Sequence, residues 1–214
     1  MSRKLYVVTH PEASHHVEGL VGGWYDSDLT AKGLRDAHSV AEALRARVPG
    51  TATVKVVSSD LLRAHRTAAV IAETFHTAEV LDPRLREKSY GEAEGRPQRW
   101  LDERFIAPPV RGDRLAHREG LRGAETKAEL ARRIYAAMEA ITAADVSHQV
   151  IVTHGFALTF VIAAWIKMPL ASVGYVNFAG KAGSITTLYE DDRFHNRQVL
   201  ELSATRHLAA ADPR

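Results

Sequence analysis

Three short, largely apolar runs, each ending in a polar cluster and each followed by a helical pattern, constrain this chain more than any other feature. Residues 5–8 end in Thr9-His10, residues 53–57 end in Ser58-Ser59-Asp60, and residues 150–153 end in His154-Gly155. Runs this short and this rich in β-branched side chains read as strands covered on both faces. The alternation of strands with helices predicts an α/β fold, a three-layer α/β/α sandwich with a largely parallel central sheet. Ligands of such sheets bind just beyond the strand C-termini. The three polar clusters are therefore expected to converge on one site.

The remaining elements follow from periodicity and punctuation. Thr30 is a good N-cap for a helix reaching about residue 47, with Leu34, Ala37, Ala41 and Leu44 on one face and Pro49-Gly50 as the stop. A second helix begins directly after Asp60 and runs through Ala64, Ala68, Ile71 and Ala72 to about Phe75. Val80 and Leu81 read as a short strand. Leu130, Ile134, Ala137, Met138 and Ile141 mark a helical face after Thr126. Residues 156–166 read as a buried helix, and strands are expected at 174–177, 184–189 and 198–202. The tail, residues 209–214, is expected to fray.

Between residues 83 and 123 periodicity fails. Irregular stretches of this length inside a compact domain are usually functional. Residues 96–122 hold seven arginines against Asp102, Glu103, Asp113 and Glu119. This segment is expected to form a lid, with Arg111 and Arg114 meeting an anionic part of the substrate beyond its phosphate.

Composition excludes several classes. The 214 residues, 45% hydrophobic and 25% charged, are those of one ordinary domain, read here as residues 1–214. The chain has no cysteine, which removes disulfides, thiolate metal sites and cysteine nucleophiles. The net charge of +2 is regional rather than a broad basic surface, and no nucleic-acid reading motif is present. The most apolar stretch falls short of the roughly 20 residues of a spanning helix, so no membrane partner is expected. The N-terminus lacks the pattern of a secretory signal, and the expected location is cytoplasmic. No metal spacing such as His-Glu-x-x-His occurs, and neither metal nor cofactor is expected.

Two histidines and an arginine at strand ends suit phosphate chemistry. A neutral imidazole nitrogen attacks phosphorus while cationic donors hold the oxygens. Such attack requires the other ring nitrogen to be tied as N–H to an acceptor. Pro11 lacks an N–H but keeps the carbonyl that can orient the His10 ring.

The same residues resemble the histidine phosphatase superfamily, which includes phosphoglycerate mutases and fructose-2,6-bisphosphatase-like enzymes. Thr9-His10-Pro11-Glu12 stands where the family has Arg-His-Gly-Glu, and Asp28-Leu29-Thr30-Ala31-Lys32-Gly33 is similar to its PLTxxG segment. The block from Ser59 to Ala68 is similar to SDLxRAxxTA at every named position. Leu85, Glu87, Tyr90, Gly91 and Gly95 resemble LxExxYGxxxG, Gly123-Ala124-Glu125 resembles a GES block, and Val152-Thr153-His154-Gly155 is similar to the second histidine motif. These blocks occur in the family's order across most of the chain, which implies a phosphoglycerate mutase-like fold.

The resemblance implies His10 as nucleophile, Arg63 and His154 as phosphate ligands, and Glu87 as general acid and then base. His16 falls near a mutase asparagine, and a ring nitrogen there is expected to donate to phosphate. Thr9 stands in place of a phosphate-binding arginine, with Arg66 or a lid arginine as candidate substitutes. Glu125 is read equally as a helix-start acid and as a site residue. The implied activity is hydrolysis of a small phosphate monoester through a phosphohistidine. The alternatives are phosphoglycerate mutase-type transfer and a non-catalytic pseudoenzyme that keeps the phosphate pocket. A homodimer is compatible with this reading.

Overall fold

In a computed structural model, residues 2–208 are described, and the tail 209–214 lies outside them. Six strands form one sheet: β1 (Arg3–Thr9), β2 (Val54–Ser58), β3 (Glu79–Leu81), β4 (His148–Thr153), β5 (Ile185–Glu190) and β6 (Arg197–Ala204). The order is β3-β2-β4-β1-β5-β6. The first four strands are mutually parallel, β5 runs antiparallel to β1, and β6 runs antiparallel to β5, so the sheet is mixed. Between them run α1 (Ser14–Glu18), α2 (Ala31–Arg47), α3 (Leu62–Thr74), α4 (Gln98–Asp102), α5 (Lys127–Ala143) and α6 (Ala157–Trp165).

The alternation of side chains along each strand builds the three layers. Leu5, Val7 and Ile151 point into one core with Leu130, Ile134, Met138 and the apolar α6. Tyr6, Val8, Val150 and Val152 point the other way, onto Val40, Leu44, Ala68 and Ile71 of α2 and α3. Every strand residue between Leu5 and Val8 is thus buried, which is why the run reads as continuously apolar. No helix among the described residues is long and apolar enough to cross a membrane.

The helices expected after Thr30 and Thr126 start at those caps, each hydroxyl accepting a backbone N–H three residues on. Leu34 is a correction, since it stands 41% exposed on the outer side of α2 while Gly33, Asp36, Ala37 and Val40 face inward. The strand expected at 174–177 is a second. Leu170–Tyr175 winds instead into a 3₁₀ turn after Pro169, because Ser172 bonds back to Pro169 and Gly174 packs on Arg114 and Leu115.

Gly33 fixes how α2 meets the loop that follows His10. A Cβ built there would lie 2.0 Å from the carbonyl oxygen of Glu12, which itself accepts the Thr30 N–H. The Thr30 hydroxyl also donates to the Glu12 carboxylate at 2.6 Å. Gly33→Ala should therefore destabilise the fold by about 1–3 kcal/mol through overpacking, although alanine would gain about 1 kcal/mol in helix propensity. A urea midpoint equal to that of the wild type would show that the 10–12 loop yields freely.

Candidate active site

Neighbouring parallel strands bring the three polar clusters together. Thr9 on β1 stands opposite Thr153 on β4, and Ser58 on β2 stands opposite Val152. The ladder continues past the strands, with His10 N–H donating to Thr153 O at 3.0 Å and Ser59 N–H donating to Val152 O at 2.9 Å. These bonds hold His10, Ser59 and His154 at one sheet edge. They open onto a cavity of about 320 Å³ lined by Thr9, His10, His15, His16, Arg63 and Glu87, among others.

His10 is buried and doubly fixed. Its Nδ1 lies 2.8 Å from Pro11 O, and its Nε2 lies 3.2 Å from Nε of Arg63. A guanidinium only donates. Nε2 must therefore present its lone pair, and Nδ1 carries the proton donated to Pro11 O. This is the tautomer a nucleophilic imidazole requires, with the carbonyl of Pro11 serving as its anchor. Burial, with Arg63 second, holds the His10 ring well below the usual imidazole pKa, so it is neutral near pH 7.

Arg63 projects from the first turn of α3 and is 1% exposed. Its Nη1 and Nη2 donate to Tyr25 O at 2.8 Å and Gly23 O at 2.7 Å. No carboxylate pairs directly with it among the described residues. Asp60, three residues before it in the chain, binds Arg86 through two bonds of 2.7 and 2.6 Å. Two guanidinium protons remain for an anion in the cavity.

His154 lies behind the cavity wall, its ring centroid 5.0 Å from that of His10 and edge-on to it. Its Nε2 sits 2.8 Å from the Ser59 hydroxyl, while its Nδ1 is buried with no partner among the described residues. Ser59 Oγ already accepts the Leu61 N–H, and donation of its proton to Nε2 makes Nδ1–H an unpaired donor. Burial again keeps the ring neutral. Glu87 enters from the other side, its carboxylate accepting N–H bonds from Lys88 at 2.9 Å and from Phe156 and Ala157, at the start of α6, both at 3.0 Å.

His16 stacks on His10 with ring centroids 5.7 Å apart, and its Nδ1 accepts the Ala13 N–H, which leaves Nε2 as the ring's donor. All five expected site residues thus gather here, with His154 set back from the cavity surface. Thr9 lines the cavity, but its hydroxyl is buried without a partner beside Gly180. Neither candidate substitute for the motif arginine is present. Arg66 pairs with Asp28 at 2.9 Å and is 54% exposed, and Arg63 is the single arginine or lysine among the described lining residues. The lid expectation is corrected likewise: of residues 96–122 only Gln98 and Leu101 line the cavity, and Arg114 is occupied by Gly174 O, Pro109 O and the Tyr175 ring.

Sequence reasoning missed three contributors. His15 lines the cavity with Nδ1 2.6 Å from the Ser27 hydroxyl, and Gly22 is needed beside it because a Cβ there would lie 2.8 Å from its Nε2. Arg133 donates to the carbonyls of Arg84, Arg86 and Glu87, fixing the segment that presents Glu87. Glu125 neither caps a helix nor reaches the cavity. It grips Arg133 at 2.7 and 2.8 Å, so its role is to position that clamp. Four histidines meet here, yet among the described residues no group of three or more potential ligands is arranged to hold a metal ion.

The buried rings make an acid-sensitive fold. His10 and His154 are held well below the imidazole range and His15 is lowered to about 3, in each case chiefly by burial. In the unfolded chain these rings take up protons below about pH 6.5. The unfolded state then binds more protons, so stability is full above pH 6.5 and declines as pH falls towards 3. The urea midpoint should drop between pH 7.5 and 5, before carboxylates titrate. An unchanged midpoint would mean that these rings are protonated in the native state.

Comparison with known proteins decides the family. The family model described as "Histidine phosphatase superfamily (branch 1)" matches residues 5–201. The chain belongs to the histidine phosphatase superfamily. It is 33% identical over 172 residues to a protein of Yersinia pestis named "Probable phosphoglycerate mutase GpmB", covering 78% of this chain and 76% of the relative. Among solved structures, mycobacterial glucosyl-3-phosphoglycerate phosphatase superposes with a TM-score of 0.75 at 26% identity over 96% of this chain and all of the other. A structure named "Mycobacterial hydrolase 1" shares the fold with a TM-score of 0.77 at 24% identity, covering 96% of this chain and 100% of that one. Phosphatases and mutases both occur among these relatives, which places the chain among phosphoryl-transfer enzymes.

Proposed function

We propose that this superfamily member is a phosphomonoesterase working through a phosphohistidine at His10. The observation that carries this reading is a neutral imidazole whose Nε2 is left unprotonated by the Pro11 anchor and faces a buried guanidinium 3.2 Å away. A phosphate dianion pairs directly with Arg63, which Glu87, Asp26 and Glu94 reach only at a distance, and it brings phosphorus to the nucleophile.

The reaction is a double displacement. The Arg63 Nε–H turns its hydrogen bond from His10 Nε2 to a phosphoryl oxygen, the freed lone pair attacks phosphorus, the ester P–O bond breaks, and the Glu87 carboxyl gives its proton to the departing oxygen. Arg63 and the Nε2–H of His16 hold the phosphoryl oxygens, with His154 edge-on behind His10. Water then attacks the phosphohistidine, Glu87 takes the proton, the N–P bond breaks, and inorganic phosphate leaves. The three N–H groups that grip Glu87 keep its carboxylate aimed through both halves.

Phosphoglycerate mutase-type transfer is the second reading, favoured by the name of the 33% identical relative. Hydrolysis is preferred because a mutase must hold the glycerate carboxylate as well as the phosphate, and Arg63 is the one strong cation on the described cavity wall. Incubation with p-nitrophenyl phosphate and with 3-phosphoglycerate separates the readings. Release of inorganic phosphate is the expected result. Formation of 2-phosphoglycerate without phosphate release would establish the mutase, and neither product would indicate a phosphate-binding pseudoenzyme.

A further inference from the structure

Resting on the phosphatase reading, we infer that the leaving group accepted by this site is uncharged and partly apolar, and that Leu20, Val21 and Leu101 receive it beside Tyr90 and Gln98. These five side chains line the same cavity as His10 and Arg63. Val21 and Leu101 belong to a small buried cluster with Ala93, Leu121 and Ala124, against which Tyr90 packs. The wall is built, not draped. Val21 N–H donates to Arg96 O, Gln98 N–H to Gly19 O and Gly95 N–H to Val21 O, all at 2.8–2.9 Å.

Arg96 lies over the Trp100 ring, Arg99 is exposed off the cavity wall, and four other nearby cations are committed elsewhere. Arg104 lies over the Trp100 ring and pairs with Glu103, Arg118 binds Ala124 O and Glu129, and Arg122 pairs with Glu92. Lys88 is buried against Glu119 and above the Tyr90 ring. The polar residues of this wall are instead Tyr90, whose hydroxyl burial and the nearby Glu87 keep protonated, and Gln98, whose Nε2 donates to Asp102 at 2.9 Å and keeps one further N–H and its carbonyl for a ligand. A second carboxylate or phosphate on the substrate would meet alkyl groups and no cation on this wall. It would lose hydration without gaining a cation. A neutral alcohol would bury carbon on Leu20, Val21 and Leu101 and find hydrogen bonds at Tyr90 and Gln98.

A matched pair of esters tests this: 4-carboxybenzyl phosphate and its methyl ester, whose leaving alcohols differ mainly in charge. The expected result is a kcat/KM at least about 10-fold higher for the methyl ester. Gln98→Arg, an exposed position at the cavity rim, should reduce or reverse that preference by assisting the carboxylate, and added salt should weaken the reversal. Equal rates on the two esters, or a preference for the carboxylate in the wild type, would overturn the inference and leave the phosphatase reading intact. If neither ester nor p-nitrophenyl phosphate releases phosphate, the phosphatase reading falls and this inference falls with it.

Discussion

Replacing His10 by alanine should lower phosphate release by more than about 1,000-fold, because the variant loses the nucleophile itself rather than one of several supports. Wild-type protein quenched during turnover of a ³²P-labelled ester should carry an acid-labile label, and the His10→Ala protein should carry none. The substitution removes the acceptor of Arg63 Nε and the donor to Pro11 O, so circular dichroism and a urea titration must accompany the assay. A folded variant that still turns over substrate at a substantial fraction of the wild-type rate would sink the phosphohistidine mechanism. In that case His10 would be a ligand of the phosphate, and water would attack it directly.

The strands that end in His10, Ser59 and His154 were legible because burial on both faces leaves an unbroken apolar run, and the polar residue that ends each run marks the sheet edge. Ordered motif blocks then pointed to Arg63 and Glu87, and the structure brings both to that edge. The Pro11 carbonyl was readable too, since a proline loses its N–H but not its oxygen. What escaped has a common cause: it depends on bonds between segments far apart in sequence. The apolar wall at Val21 and Leu101 exists through backbone pairing of residues 19–21 with residues 95–98, which no local period encodes. Arg133 belongs to no motif block, and its three carbonyl partners become visible only once α5 packs against residues 84–87.

The arginine-rich segment misled for a related reason. Charge in a loop reads as available charge, but most of these guanidinium groups are satisfied locally by carbonyls, carboxylates and rings. Position 9 shows the converse. Loss of a motif arginine there predicted a replacement cation, and the described cavity wall supplies a threonine hydroxyl with no partner in its place. The burden of holding the phosphoryl oxygens consequently falls on Arg63 and the neutral His16 donor.

That concentration of function makes Arg63→Lys the most informative change after His10. Lysine keeps the positive charge but offers one ammonium in place of a planar fork. The wild-type guanidinium reaches Tyr25 O, Gly23 O and, before phosphate binds, His10 Nε2, and it has two further protons for the anion. An ammonium, with three protons in all, cannot meet the two carbonyls and hold the phosphate as the guanidinium does. Each hydrogen bond to a charged group is worth about 1.5–3 kcal/mol, so losing two in the transition state should lower kcat/KM by about 100-fold or more. Inhibition by inorganic phosphate should weaken in parallel, since the product lies in the same grip. The urea midpoint should fall as well, because one of the buried carbonyls loses its donor. Were Arg63→Lys to retain most of its activity with phosphate inhibition unchanged, the cation holding the phosphate would have to come from elsewhere, and the account of Arg63 as the sole strong anion clamp would be wrong.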